Sequence, residues 1–263
     1  MSEAKKYLIN INGEWTGGDL DTKNVVNPAN QEVIGTVPNG GAKETELAIQ
    51  AAHEAFYDWS RLTAYERAKY LKKFHQLMLD NQEELAKMMT LEMGKPIEES
   101  RGEVVYAASF VEWFAEEGKR IYGSVTPTHA SDKRLQVWKK PVGVVGAITP
   151  WNFPAAMLTR KMAPALAAGC TVIMKPSGDS PLTAVKMMEL FEEAGLPKGV
   201  VNLLTGSSSE IAETMMKNEK VSKITFTGST EVGKLLIRQS ADKVKKLSLE
   251  LPCHFSATFK RFK

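Results

Sequence analysis

The chain has 263 residues, 43% of them hydrophobic and 25% charged, with 34 Lys and Arg against 31 Asp and Glu for a net charge of +3. These values exclude a disordered or membrane-embedded chain, and they carry too little positive charge to point to nucleic acid. Two cysteines without a CxxC partner exclude a disulfide framework, and the four histidines stand at no metal-ligand spacing.

The first residues lack the apolar core of a signal peptide, and no apolar run approaches the roughly 20 residues that span a bilayer. A cytoplasmic protein is expected. The first forty residues are short apolar stretches broken by Asn12-Gly13, Gly17-Gly18, Asn27-Pro28 and Asn39-Gly40-Gly41, the punctuation of strands and hairpins. From Lys43 to Trp59, Ala48, Ala51, Ala52, Ala55, Phe56 and Trp59 recur at three- and four-residue steps and predict an amphipathic helix. Similar periods predict helices over Ala64 to Leu79 and Glu83 to Met93, and Pro96 opens another that ends near Gly118. Residues 121–125 and 134–138 then read as two strands around a polar turn at Ser131-Asp132-Lys133, a hairpin-like arm.

From Pro141 onward short apolar runs alternate with helices. Strands are expected at Val142 to Ile148, Thr171 to Met174, Val200 to Leu204 and Ile224 to Phe226. The helices between and after them are expected at about Ala155 to Ala168, Leu182 to Ala194, Ser209 to Met216 and Thr230 to Ser240. This alternation predicts an α/β fold, a Rossmann-like parallel sheet with flanking helices and right-handed crossovers, plus the protruding β-hairpin arm.

Ligands of such sheets bind beyond the carboxyl ends of the strands, where helix N-termini present unpaired N–H groups. Three strand ends stand out. Ile224 to Gly233 combines a strand, Gly228 for close backbone approach, and Ser229 and Thr230 at a helix start; this suits a pyrophosphate, and equally an ordinary N-cap. Thr149-Pro150-Trp151-Asn152-Phe153-Pro154 braces Asn152 between prolines, where its amide either donates to a developing oxyanion or caps a rigid turn. Val172 to Ser177 sets Lys175 and Ser177 at a strand end, for ribose hydroxyls or phosphate, or as a solvated lysine.

Together with Leu247-Ser248-Leu249-Glu250-Leu251, and in this order, these segments resemble the aldehyde dehydrogenase superfamily from about residue 7 to 251. Ala163 to Cys170 and Glu193 to Val200 resemble it more loosely. The resemblance implies NAD or NADP as cofactor, with Trp151 and Ser229 along its path and Lys175 at the adenosine ribose; Gly228 and Ser177, from the strand ends read above, join them as cofactor-binding candidates. It makes Asn152 half of the oxyanion hole and Glu250 the general base. It divides the chain into an NAD(P)-binding domain over residues 1–119 and 141–251, an oligomerisation arm over 120–140, and a tail over 252–263 that follows no family pattern. A small-molecule aldehyde is the implied substrate and a homo-oligomer or self-associated form the implied state, with no nucleic-acid or membrane partner. Phe153 to Lys161 is similar to the succinate-semialdehyde dehydrogenase branch, in which Arg160 would read a distal carboxylate; a guanidinium matches a carboxylate bidentately.

The departures carry their own expectations. Gly178 stands where many NAD-using relatives have a glutamate that accepts from the ribose 2′-OH, so NADP becomes acceptable. The turn Thr205-Gly206-Ser207-Ser208 has a serine in place of a glycine, on the adenine side. In the family a cysteine thiolate attacks the aldehyde, hydride leaves to the nicotinamide, and the glutamate activates water to release the acid. That cysteine lies a few tens of residues beyond the glutamate. Here Cys253 lies only three residues beyond it and Cys170 reads as a buried structural thiol, so the chain is expected to lack the catalytic domain and to be inactive alone. The alternative is a non-catalytic NAD(P)-binding or interaction module that assembles with a full-length homologue.

Overall fold

The computed structural model describes residues 5–252; the expected tail, including Cys253, lies outside them except for Pro252. Its centre is a seven-stranded sheet. Five parallel strands form it: β7 (Val144–Ile148), β8 (Thr171–Lys175), β9 (Val201–Leu203), β10 (Val221–Thr227) and β11 (Lys246–Glu250). β1 (Ile9–Ile11) adds antiparallel to β9, and β2 (Glu14–Thr16) antiparallel to β1, for the order β11-β10-β7-β8-β9-β1-β2. The turn-rich first forty residues thus extend the main sheet, and β3 (Thr22–Val26) and β4 (Val33–Pro38) form a separate antiparallel pair. β5 (Ser124–Thr126) pairs antiparallel with β6 (Leu135–Val137), both fully exposed.

Helices cover both faces of the sheet. α2 (Ala64–Asp80), α4 (Ile97–Glu117), α5 (Ala156–Ala167) and α6 (Leu182–Ala194) close one side with α3 (Gln82–Met93), and Phe74 stacks on Phe191 at 3.7 Å between α2 and α6. α1 (Ala42–Arg61), α7 (Ser208–Lys217) and α8 (Thr230–Ser240) close the other. Alternation along β8 explains the division. Val172 and Met174 enter the first core and Ile173 the second, as successive side chains of a strand must. The buried strands read as continuous apolar runs because a parallel sheet is covered on both faces.

β11 has no counterpart among the strands expected from periodicity. Lys246, Ser248 and Glu250 are exposed and Leu247 and Leu249 half-buried, the signature of an edge strand. α2 starts with Thr63 accepting from Glu66 N while Glu66 bonds back to Thr63 N, a capping box that satisfies two orphan N–H groups. Among the described residues no helix is long and apolar enough to cross a membrane.

Candidate active site

The expected site residues fall at the carboxyl ends of the parallel strands, in three neighbourhoods. The first joins β10, β11 and α5. Arg160 Nη2 lies 3.2 Å from Glu250 Oε1 and Lys161 Nζ 3.6 Å from Glu250 Oε2. Thr227 donates its hydroxyl to Glu250 Oε2 at 2.8 Å and accepts from Lys161 Nζ at 2.5 Å. The register sets this up, since Thr227 and Glu250 are partners across β10 and β11. Burial lowers the pKa of Lys161, and the Glu250 charge opposes that fall. Arg160, Lys161 and Glu250 line a cavity of about 400 Å³ that also includes Cys170 and Pro164. Pro164 lies inside α5 and has no N–H to give the Arg160 carbonyl one turn earlier.

The second neighbourhood is the loop from Thr149 to Pro154. Trp151 and Asn152 are exposed. The Asn152 carbonyl accepts from Lys95 Nζ at 3.1 Å, and the Lys95 ammonium lies 4.1 Å from the centre of the Phe153 ring. Lys95 is paired in turn with buried Glu103, whose other oxygen accepts from Ala155 N and Ala156 N at 3.0 and 3.2 Å. Glu103 therefore caps α5 from a neighbouring helix. Ser180 ties the same loop to the turn after β8 by donating to the Trp151 carbonyl at 3.2 Å.

The third neighbourhood is the end of β8. Lys175 is 3% exposed and donates to Ser208 Oγ, at the start of α7, at 2.5 Å. Burial brings its pKa down to about 8, helped by the Lys23 charge and opposed by Asp179. Ser177 accepts from Asp179 N at 3.2 Å. Further along, Ser229 accepts from Val232 N at 3.3 Å, so it does serve as the N-cap of α8. A side chain on Gly228 would strike the Phe226 ring, with Cβ 2.4 Å from its nearest atom.

Arg160 and Glu250 are thus brought together, whereas no hydrogen bond or ion pair among the described residues joins Asn152, Lys175 or Ser229 to them. Sequence reasoning passed over Lys95, Glu103 and Glu92. Glu92 is buried and accepts from Leu182 N, Thr183 N and the Thr183 hydroxyl at the start of α6, and burial raises its pKa to about 7 against those bonds. A signal was present. Both glutamates fall on the apolar faces of their helices, Glu92 after Leu85 and Met89, and Glu103 among Val104, Ala107 and Val111. An acid in an apolar stripe requires a partner.

A parallel sheet covered by helices on both faces, with Asn152, Lys175 and Glu250 beyond the carboxyl ends of β7, β8 and β11, defines a Rossmann-like α/β protein. The chain belongs to the aldehyde dehydrogenase family, whose sequence model matches residues 15–257. It is 54% identical over 242 residues to a glutarate-semialdehyde dehydrogenase of Pseudomonas putida, covering 92% of this chain and 50% of that protein. It is also 54% identical over 246 residues to the NADP⁺ succinate-semialdehyde dehydrogenase of Escherichia coli, again covering 92% and 50%. Among solved structures, an E. coli NADP-dependent enzyme superposes with a TM-score of 0.93 at 52% identity, covering 95% of this chain and 52% of that one. A betaine aldehyde dehydrogenase of Staphylococcus aureus in complex with NAD⁺ does so with a TM-score of 0.90 at 38% identity, covering 93% and 49%. The chain spans about half the length of the relatives it matches.

Proposed function

We propose that this chain is the coenzyme-binding portion of an NAD(P)-dependent dehydrogenase that oxidises an acidic semialdehyde, such as succinate semialdehyde, to the carboxylate. The observation that carries it is Arg160, a half-buried guanidinium beside Glu250 and already engaged with a carboxylate. Semialdehyde dehydrogenases recur among the relatives. In this reading Trp151, Lys175, Ser177, Gly228 and Ser229 hold the dinucleotide, which supplies a hydride acceptor when bound. The residues fit it: Gly228 and Ser229 stand at the start of α8, a helix N-terminus, and Lys175 offers a buried ammonium at the end of β8, two strands across the sheet from β10. Asn152 donates to the substrate oxygen, Glu250 takes a proton from water, and Arg160 orients the distal carboxylate.

Among the described residues the one thiol, Cys170, is buried beyond the far end of α5. We infer coenzyme binding without turnover for this polypeptide. Calorimetric titration with NADP⁺ and NAD⁺, beside a spectrophotometric assay with succinate semialdehyde, tests both parts. Binding with no NADPH or NADH production is expected. Steady production would overturn the second part, and absence of binding the first.

A second reading rests on the exposed apolar surface of residues 121–138. Tyr122, Val125 and Trp138 are 69%, 75% and 72% exposed, far more than a monomer surface needs. This arm is assigned to association, with another copy or with a full-length homologue. Sedimentation at tens of micromolar is expected to give a self-associated species, and Val125→Lys with Trp138→Lys to disperse it. A monomeric wild-type chain would contradict the self-association.

A further inference from the structure

The turn after β8 faces a second lysine. An ideal Cβ built on Gly178 would stand 2.9 Å from Lys23 Nζ, so the ammonium of β3 occupies the place from which a side chain at 178 would leave the backbone. A glutamate there would meet that ammonium. With glycine, Lys23, Gly178, Asp179 and Trp151 instead line an open cavity of about 350 Å³. Lys175 is close enough to Lys23 for the two charges to interact, and no carboxylate lies within ion-pair distance of either ammonium among the described residues. Two lysines held near each other repel, Asp179 offsets the charge of Lys175 only from beyond ion-pair distance, and the remaining repulsion is relieved by a ligand that carries two negative charges.

We propose that Lys23 is a specificity-determining residue of the coenzyme site: with Lys175 it holds a phosphomonoester dianion, the 2′-phosphate of NADP, over Gly178. The inference rests on the coenzyme reading above and deepens it by naming which coenzyme is preferred and by what. A free 2′-hydroxyl carries no charge for Lys23 to meet, so NAD gains nothing from it. Lys175 alone would serve either coenzyme, because an ammonium donates to a ribose hydroxyl as well as to phosphate. Discrimination therefore falls on the residue that reaches the site from β3. Asp179 works against an anion here, which gives the arrangement an internal control.

The test is calorimetric titration of the whole chain with NADP⁺, NAD⁺ and inorganic phosphate, for the wild type and for Lys23→Ala, Lys23→Arg and Asp179→Asn. Lys23 is exposed, so its replacement leaves the cores intact, and circular dichroism checks this. Lys23→Ala is expected to weaken NADP⁺ at least about tenfold while NAD⁺ changes less than about twofold, by the scale of charge-assisted hydrogen bonds. Lys23→Arg should retain NADP⁺ affinity and Asp179→Asn should raise it. An unchanged NADP⁺ to NAD⁺ ratio in Lys23→Ala would overturn this inference alone. Inorganic phosphate binding as tightly as NADP⁺ would also overturn it, by assigning the site to the free anion. Failure of the wild type to bind either coenzyme would overturn the coenzyme reading, and this inference with it.

Discussion

Arg160 and Glu250 form an ion pair, Nη2 to Oε1 at 3.2 Å, so the guanidinium expected to read a substrate carboxylate already holds one. Both side chains are partly exposed, at 33% and 43%, and such pairs contribute only about 0–1 kcal/mol. An incoming carboxylate can displace Glu250 at small cost. Glu250→Gln is therefore expected to tighten succinate binding and Arg160→Ala to abolish it, with less than about 1 kcal/mol lost from stability in Arg160→Ala. Equal succinate affinity in wild type and Glu250→Gln would mean that the two carboxylates do not compete.

Glu103 is expected to matter far more for stability. Its removal leaves two α5 N–H groups buried without a partner and the Lys95 ammonium without its counter-charge, with only the Asn152 carbonyl and the Phe153 ring to face, and breaking such a pair costs about 3–5 kcal/mol. Urea denaturation of Glu103→Ala should show that loss. The double variant with Lys95→Ala should lose less than the sum of the two single changes, because the partners then vanish together.

Coenzyme affinity should depend on pH through Lys175, which faces Lys23 from β3, Asp179 from its own turn and the Ser208 hydroxyl. Its folded pKa is lowered to about 8, so the protonated form that meets phosphate is lost above that pH. A phosphomonoester gains its second charge near pH 6. NADP⁺ affinity should rise through about pH 6 and fall above about pH 8. The burial of charged Lys175 opposes folding in full below about pH 8. That opposition fades as pH climbs toward the ordinary lysine value of 10.5, because the unfolded chain keeps its proton longer. A flat NADP⁺ profile from pH 7 to 9.5 would contradict this assignment.

Gly206 admits no side chain. Its φ is +127°, and a Cβ would fall 2.1 Å from the Gly40 carbonyl oxygen, where the two backbones form a bridge. Gly206→Ala is expected to cost at least about 2 kcal/mol, from backbone strain and the forced separation. It should also weaken coenzyme binding, since Ser208, two residues on, holds Lys175. Thermal melting and titration would read the two effects separately.

The helices and the parallel strands of this fold are legible because each carries its own period, as in Ala48 to Trp59 or Val172 to Met174. β11 escaped although Lys246 to Glu250 alternate strictly, because the strand is five residues long and sits at an edge with one neighbour, so no long apolar run announces it. Trp151, Asn152, Lys175 and Glu250 are candidates from segments that resemble a known family, and each stands at or just beyond a strand end. Their supports were not legible. Lys95 and Glu103 reach the Asn152 loop from distant helices, and Lys23 reaches Gly178 from a hairpin near the other end of the chain. Such meetings are products of packing, and the only local trace of them is an acid lodged in an apolar stripe.

α5 is also gripped at its far end. Trp59 Nε1 donates to the Leu166 carbonyl at 3.2 Å and Arg67 Nε to the Ala167 carbonyl at 3.0 Å, while Glu103 holds the first turn. A rod clamped at both ends has no freedom to swivel. Arg160 and Lys161 project from its middle as fixed bearings, and adjustment to guests of different length falls to the exposed Glu250 carboxylate on the sheet edge. Discrimination among acids would then be set by how far the guest reaches, as a gauge with an immovable jaw measures only what fits the gap.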